Sequence, residues 1–221
     1  MTPTPRTDGR VERGNRTRRL ILERGVAIAS VEGLGGLSLG RLAGELKLSK
    51  SGVFALFGSK EDLQLATVRM AGKVFAQHVV QPARELPPGL GRLWHLCTRR
   101  LACSRDRVFP GGCFFRTVAA EYGAREGRIH DMVAAARADW TALLEQTVRE
   151  AREAGEAHAD TDVPQLVFEI AALLEAADAE SVLRGDTDCY DRAAEGILRR
   201  LRGIATDPAL LPERAQLKRN D

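Results

Sequence analysis

Aromatic residues are scarce: Phe, Trp and Tyr make up 5% of the 221 residues, with only 2 Trp and 2 Tyr. Because β-branched runs are also few, a β-rich fold is excluded, since strands draw on both kinds of side chain for their packing. Cysteine is equally thin. Cys97, Cys103, Cys113 and Cys189 are widely spaced and form no CxxC pair, which argues against a zinc site and against a disulfide framework. No apolar run approaches the roughly 18 residues that a membrane span requires. None follows the opening MTPTPRTDGR, where a secretory leader would need one, so a reducing cytoplasm is the expected compartment. Nucleophile elbow, phosphate-binding glycine loop and metal motif are all missing, and the four histidines do not cluster with carboxylates. An enzyme, a cofactor and a metal are therefore not expected.

What the chain does contain is alanine, leucine, arginine and glutamate in quantity, a composition that favours helices. Its net charge of +3 is unevenly spread. The first 60 residues hold 11 of the Lys and Arg against 5 of the Asp and Glu, leaving 22 against 25 for the remainder. A basic front on a mildly acidic body suits phosphate binding by the first third alone.

Helical periodicity runs nearly throughout. Ile21, Leu22, Gly25, Ile28 and Ala29 mark a first helix from about Arg16 to Glu32, with Gly25 at a close helix crossing. Ser38 caps a second, whose stripe is Leu39, Leu42, Ala43 and Leu46. After a turn at Lys47–Ser49 come Val53, Leu56 and Phe57. Ser59 with Asp62 three residues on starts a longer helix, expected to stop at Pro82. Leu90–Leu101, Cys113–Tyr122 and Glu126–Ala154 follow. Asp162 and Pro164 open a helix to about Leu183, and a last one covers about Asp188 to Ile204. The expectation is an all-α protein of about nine helices. Its parts are a disordered arm over 1–12, a DNA-binding unit over 13–63, a larger body over 64–205 and a flexible tail over 206–221.

Residues 38–63, SLGRLAGELKLSKSGVFALFGSKEDL, have the form of a helix-turn-helix: two short helices braced by a third, the second of the pair exposing small, polar or basic groups. Lys50 and Ser51 open that second helix, where N–H groups and the helix dipole also favour phosphate. Gly52 and Ala55 are small enough for close approach to a groove. Phe54 falls on the outer face, a cost unless it packs on sugar-phosphate or a thymine methyl. Ser38, Arg41 and Lys60 are candidates for flanking phosphate contacts, and Arg16, Arg18 and Arg19 for a basic arm.

Residues 21–38, ILERGVAIASVEGLGGLS, and 42–63, LAGELKLSKSGVFALFGSKEDL, resemble the N-terminal domain of the tetracycline-repressor (TetR) family of bacterial regulators. The similarity spans roughly 50 residues and is densest around SKSGVFALFGSKEDL, where Ser51, Gly52, Phe54 and Lys60 match positions that face DNA in the family. Ala29 stands where an aromatic is usual, Leu37 where a threonine is usual, and Phe54 where a tyrosine is usual; the missing tyrosine hydroxyl puts one phosphate hydrogen bond of the family in question, though not the packing. The resemblance implies a ligand-responsive repressor. It would bind a palindromic double-stranded operator as a homodimer joined through its last two helices, and a small-molecule effector would release it.

The two last helices carry more apolar residues than one core face needs, which agrees with a helical bundle between copies. For an effector cavity the candidates are Trp94, Cys97, Phe109, Phe114, Phe115, Val118, Trp140 and Phe168, a mostly apolar set. Arg116, Glu121, Tyr122 or His95 would serve as polar anchor. Glu175 and Asp178 are ambiguous, with surface exposure the expectation. A redox sensor using Cys97, Cys103 or Cys113 is the alternative on the same scaffold.

Overall fold

The computed structural model describes residues 9–215 and 217. The helices are α1 (Gly9–Glu32), α2 (Leu39–Glu45), α3 (Lys50–Phe57), α4 (Lys60–Phe75), α5 (Gln81–Arg84), α6 (Leu90–Arg105), α7 (Phe114–Tyr122), α8 (Arg128–Glu153), α9 (Val163–Arg184) and α10 (Asp188–Ile204). Among the described residues no strand forms, and no helix is long and apolar enough to cross a membrane. Because α4 runs on into α5, the rods number nine, and the fold is all-α as expected.

Short side chains set the helix starts. Ser38, Ser49 and Ser59 each accept a hydrogen bond from the backbone N–H three residues on, at Arg41, Gly52 and Asp62, and Asp162 does the same for Gln165. Each such cap contributes about 1 kcal/mol. Between α2 and α3, Lys47 takes a left-handed conformation (φ 54°) and the Leu48 N–H donates to the Ala43 carbonyl, closing α2 within a tight turn.

Three boundaries depart from expectation. Residues 9–12, assigned to a disordered arm, open α1. Arg and Glu propagate a helix well, and Glu12 complements the N-terminal dipole. Residues 1–8 of that arm lie outside the described residues. Pro82 does not stop α4 either. The turn Ala76–Val80 widens to π-helical geometry, and α5 continues with Pro82 inside its first turn. The widened turn shifts the hydrogen-bond register just where proline supplies no N–H. At the far end, Leu211 is buried after a 3-10 turn, Pro208–Leu210, so the segment from 206, expected to be a flexible tail, is anchored there. Residues 216 and 218–221 of that tail lie outside the described residues.

Burial is organised around two cores. The first gathers Ile21, Leu42, Val53 and Leu63 from α1–α4, and continues without a break onto Phe114 and Val118 of α7 and Val133 of α8. The second joins α6, the C-terminal half of α8, α9 and α10, with Leu93, Val148, Ile170 and Ile197 at its centre. The division expected after residue 63 thus falls inside a continuous core.

The crossing of α1 over α4 depends on Gly25, where a Cβ would already sit 3.1 Å from Thr67 Oγ1. A tighter approach occurs at Gly111, whose N–H donates to Ser30 Oγ and where a Cβ would fall 1.9 Å from the Ser30 carbonyl oxygen. That oxygen belongs to backbone and cannot swing aside. The substitution Gly111→Ala is expected to destabilise the protein by about 3 kcal/mol, the upper end of overpacking costs, read as a drop in the urea unfolding midpoint. A change below about 0.5 kcal/mol, the ordinary surface range, would show that the α1 end is free to move away.

Candidate nucleic-acid interface and internal cavity

Helix α3 presents one face to solvent. Val53 and Phe57 are buried against α2 and α1, while Lys50, Ser51, Gly52, Phe54 and Ala55 are all exposed, Phe54 at 57%. Nothing on that face is large and polar beyond Lys50, so a groove wall would meet small residues and one aromatic ring, with one cation at the N-terminal end. Ser49, not among the sequence candidates, is the cap that fixes where this face begins.

The flanking candidates divide. Arg41 is committed elsewhere: its two Nη atoms donate to both oxygens of Glu32, its Nε to Glu45, and Nη1 also to the Gly36 carbonyl. The Arg41 hydrogen bonds hold both carboxylates below their usual range, with Arg24 assisting at Glu45. The clamp is therefore in place at neutral pH and is lost only as the pH falls through those lowered values. Ser38 spends its oxygen on the α2 cap, and Lys60 Nζ donates to the Gly35 carbonyl at 3.1 Å. Arg16, Arg18 and Arg19 ride on α1 rather than on an arm. Arg18 sits over the Phe57 ring, 5.0 Å from its centroid, Arg19 pairs with Glu23, and Arg16 is exposed.

The loop between α1 and α2 is held from the body. Glu121, near the end of α7, accepts hydrogen bonds from the Leu34 N–H (2.7 Å) and the Gly35 N–H (2.9 Å). The carboxylate fits because Gly33, at φ 75°, and Gly35 have no side chain: a Cβ would lie 2.3 Å and 2.8 Å from its oxygens. Gln64 of α4 donates to the Leu34 carbonyl and to the Tyr122 hydroxyl, completing the tie. Glu121 and Tyr122, considered as cavity anchors from sequence, belong to this junction instead.

A cavity of about 460 Å³ lies in the body between α4, the widened turn, α6, α7, α8 and α9. Its apolar wall centres on Phe75, whose ring meets Phe115 (6.0 Å, 85°) and Trp140 (5.3 Å, 89°) edge to face. Val80, Val133, Leu143 and Leu174 extend that wall. Arg116 and Arg137 line it too, each paired with an acid of α9: Arg116 with the fully buried Asp178, Arg137 with Glu175 at 2.7 Å. Asp178, expected at the surface, also accepts hydrogen bonds from the Ser104 hydroxyl and the Cys113 N–H.

Of the eight cavity candidates, Phe115 and Trp140 line it. Phe109, Phe114 and Val118 are buried in the first core and Cys97 in the second, and Trp94 packs against the second. Their stripes point at neighbouring helices, because an apolar helix face fills the core before it faces a void. Phe168 lies on the outer face of α9 and is 70% exposed. His95 does not line the cavity either. Sequence reasoning missed Phe75, Arg84 and Arg100, all of which do.

All four cysteines are buried and free. Burial pushes the Cys97 thiol up to about 12 and the Cys103 thiol up to about 11, which suppresses the thiolate a redox sensor needs. Among the described residues no group of three His, Cys, Asp or Glu is arranged to hold a metal.

Residues 89–197 match the family model of the tetracyclin repressor-like C-terminal domain. No relative is found among curated protein sequences. The whole fold resembles solved TetR-family transcriptional regulators. One from Cytophaga hutchinsonii has a TM-score of 0.77 at 21% identity, over 88% of this chain and 98% of that one. Another, from Chloroflexus aurantiacus, has 0.78 at 20%, with the same coverage. AibR, solved in complex with isovaleryl coenzyme A and operator DNA, has 0.63 at 16%, over 85% of this chain and 97% of its own. At these identities the likeness concerns the fold.

The Glu121 junction makes a direct prediction. Truncation by Glu121→Ala strips the Leu34 and Gly35 N–H groups of their acceptor and is expected to cost about 1–2 kcal/mol. Glu121→Gln, which keeps one acceptor oxygen, is expected to cost less. Urea denaturation of both variants checks the order; equal, negligible losses would mean that water replaces the carboxylate freely.

Proposed function

Because this chain belongs to the TetR family of transcriptional regulators, whose C-terminal domain its residues 89–197 match, we propose that it is a homodimeric repressor released from a palindromic operator by a small, largely apolar effector. Its family consists of transcription factors, not enzymes. On this reading residues 13–63 read DNA and residues 64–205 bind effector and dimerise. The observation that carries it is the sharing of α4 and α7. Leu63 and Gln64 of α4, and Glu121 and Tyr122 of α7, brace the helix-turn-helix, while Gly72 and Phe75 of α4, and Phe115 and Arg116 of α7, line the cavity. An occupant that displaces either helix alters the pose of α3. A coupling of about 1–3 kcal/mol changes operator affinity 5- to 150-fold. AibR, with acyl-coenzyme A and operator DNA bound to one such fold, supports the same division of labour.

In the complex Lys50 and Ser51 meet the phosphate backbone or a guanine edge, Gly52 and Ala55 allow close approach, and Phe54 packs on sugar or a thymine methyl. Arg16 is the α1 residue best placed for phosphate, since Arg18 and Arg19 have partners within the helix and beside it. Ser38 and Lys60 add contacts through their remaining donors, and Arg41 acts by holding the α1–α2 corner rigid. The elevated thiols of Cys97 and Cys103 weigh against the redox alternative at those two positions.

Dimerisation falls chiefly to α9. Phe168, Ala172, Ala176, Ala179 and Leu183 form an exposed stripe at three- and four-residue spacing along it, Leu183 at 83%. The outer face of α10 is charged instead, with Asp191, Arg192, Arg199 and Arg200 exposed, and its apolar residues all turn inward. The surplus of apolar surface read from sequence thus belongs to α9 alone.

Two outcomes follow. Lys50→Ala is expected to bind a fragment of its own promoter roughly tenfold more weakly and to lower the slope of log affinity against log salt by about 1; unchanged affinity would exclude α3 as the reading helix. Phe168→Asp is expected to convert the dimer to monomer in sedimentation velocity, with loss of operator binding, whereas a dimer that survives would move the interface elsewhere.

A further inference from the structure

Arg100 is a cavity-lining cation that, among the described residues, has neither an ion-pair nor a hydrogen-bond partner. It lies in the middle of α6, is only 7% exposed, and lines the cavity. Among the described residues no carboxylate lies within ion-pair distance of it, and its guanidinium makes no hydrogen bond to the chain. Asp178, the acid close enough to act on its charge, already has its oxygens occupied by Ser104, the Cys113 N–H and Arg116. Burial opposes the Arg100 charge, but Cys113 and Asp178 outweigh it, so the group stays protonated. Tyr190, also close enough to act on that charge, holds a second orphan: its hydroxyl is fully buried with no hydrogen-bond partner.

An unpartnered guanidinium in a cavity wall is unfavourable unless something within the cavity supplies the missing acceptors. The cavity around it has the aromatic edges of Phe75, Phe115 and Trp140 and aliphatic side chains for its apolar wall, with Thr141, Glu175 and the exposed Asp139 also in the lining. The other cavity cations do not compete for the role. Arg116 and Arg137 are neutralised by Asp178 and Glu175, and Arg84 is exposed. Resting on the effector-cavity reading above, we propose that the effector is a small organic acid. Its carboxylate is received by Arg100, and its apolar body lies against the Phe75–Phe115–Trp140 wall.

The chemistry favours a carboxylate because one excess buried positive charge matches a monoanion, and the planar fork of arginine matches two carboxylate oxygens. A dianionic phosphate would leave a charge unpaired. The volume, about 460 Å³, stands near the lower end of the usual range of about 300–1,000 Å³ for ligand sites. That admits a free acid with one ring or a short chain and excludes a bulky conjugate of the same acid.

The test uses the full chain with octanoate and phenylbutyrate, each beside its uncharged amide, followed by calorimetric titration. The acids are expected to bind and the amides to bind about 10- to 100-fold more weakly, the range for a hydrogen bond to a charged group. Arg100→Gln is expected to erase that preference and Arg100→Lys to restore part of it. Acids and amides binding alike, or Arg100→Gln keeping the preference, would overturn the role of Arg100 while leaving the cavity reading intact. Binding of neither series would overturn both.

Discussion

The burial of one carboxylate, Asp178, constrains the arrangement of everything around the cavity. A charge with no exposed surface is tolerated only when donors converge on it, and the donors come from three directions: the Ser104 hydroxyl at the end of α6, the Cys113 N–H at the entry to α7, and the Arg116 guanidinium one turn further along α7. Since Asp178 itself is on α9, the side chain locks three helices at one point. The start and direction of α7 are thereby fixed, and from that start the helix carries Phe115 past the cavity and delivers Glu121 to the corner between α1 and α2. Deleting the carboxylate would free the helix that links the two ends of the molecule.

The DNA-facing end follows a different economy, in which small polar groups are used up inside the protein. Ser38, Ser49 and Ser59 cap helices, Arg41 clamps Glu32 and Glu45, and Lys60 reaches a carbonyl. These choices make the unit rigid and leave few free donors on its outer surface. On the proposed reading, discrimination between sequences would lean on Lys50, Ser51 and the fit of Gly52, Phe54 and Ala55 to groove shape more than on many base-edge hydrogen bonds.

How much was legible in the sequence follows from how local each signal is. Serine caps, the Asp162–Pro164 start and the length of α9 are written within three or four residues, so α2, α3, α4 and α9 begin where the sequence places them. Gly25 was readable as a close crossing because a glycine weakens a helix that alanine would strengthen, a cost offset where a neighbouring chain needs the room. The cavity was not readable. Phe114 and Phe115 are adjacent on one helix, yet one fills the core and the other faces the void, a difference of about 100° that only the packing of α7 decides. Arg100 and Asp178 look like surface residues by type, and burial inverted both. Phe168 is the opposite case, an aromatic that by type belongs inside and yet stands in solvent. Pro82 reads as a stop because a widened turn leaves no mark in the sequence.

That widened turn at Ala76–Val80 works as a phase shifter. An α-helix advances about 100° per residue, so one extra residue accommodated between Phe75 and Gln81 rotates the downstream stretch relative to the upstream one. The rotation lets Phe75, Ala76 and Val80 look into the cavity while Val79 and Ala83 stay in the cores. The segment is remote from Leu63 and Gln64, which brace the DNA-reading unit at the other end of the same rod. Gain or loss of a single residue there would re-index the wall that an effector meets and leave the brace in register. Within one continuous helical rod, on the proposed reading, what the protein senses and what it reads could therefore diverge independently over evolutionary time.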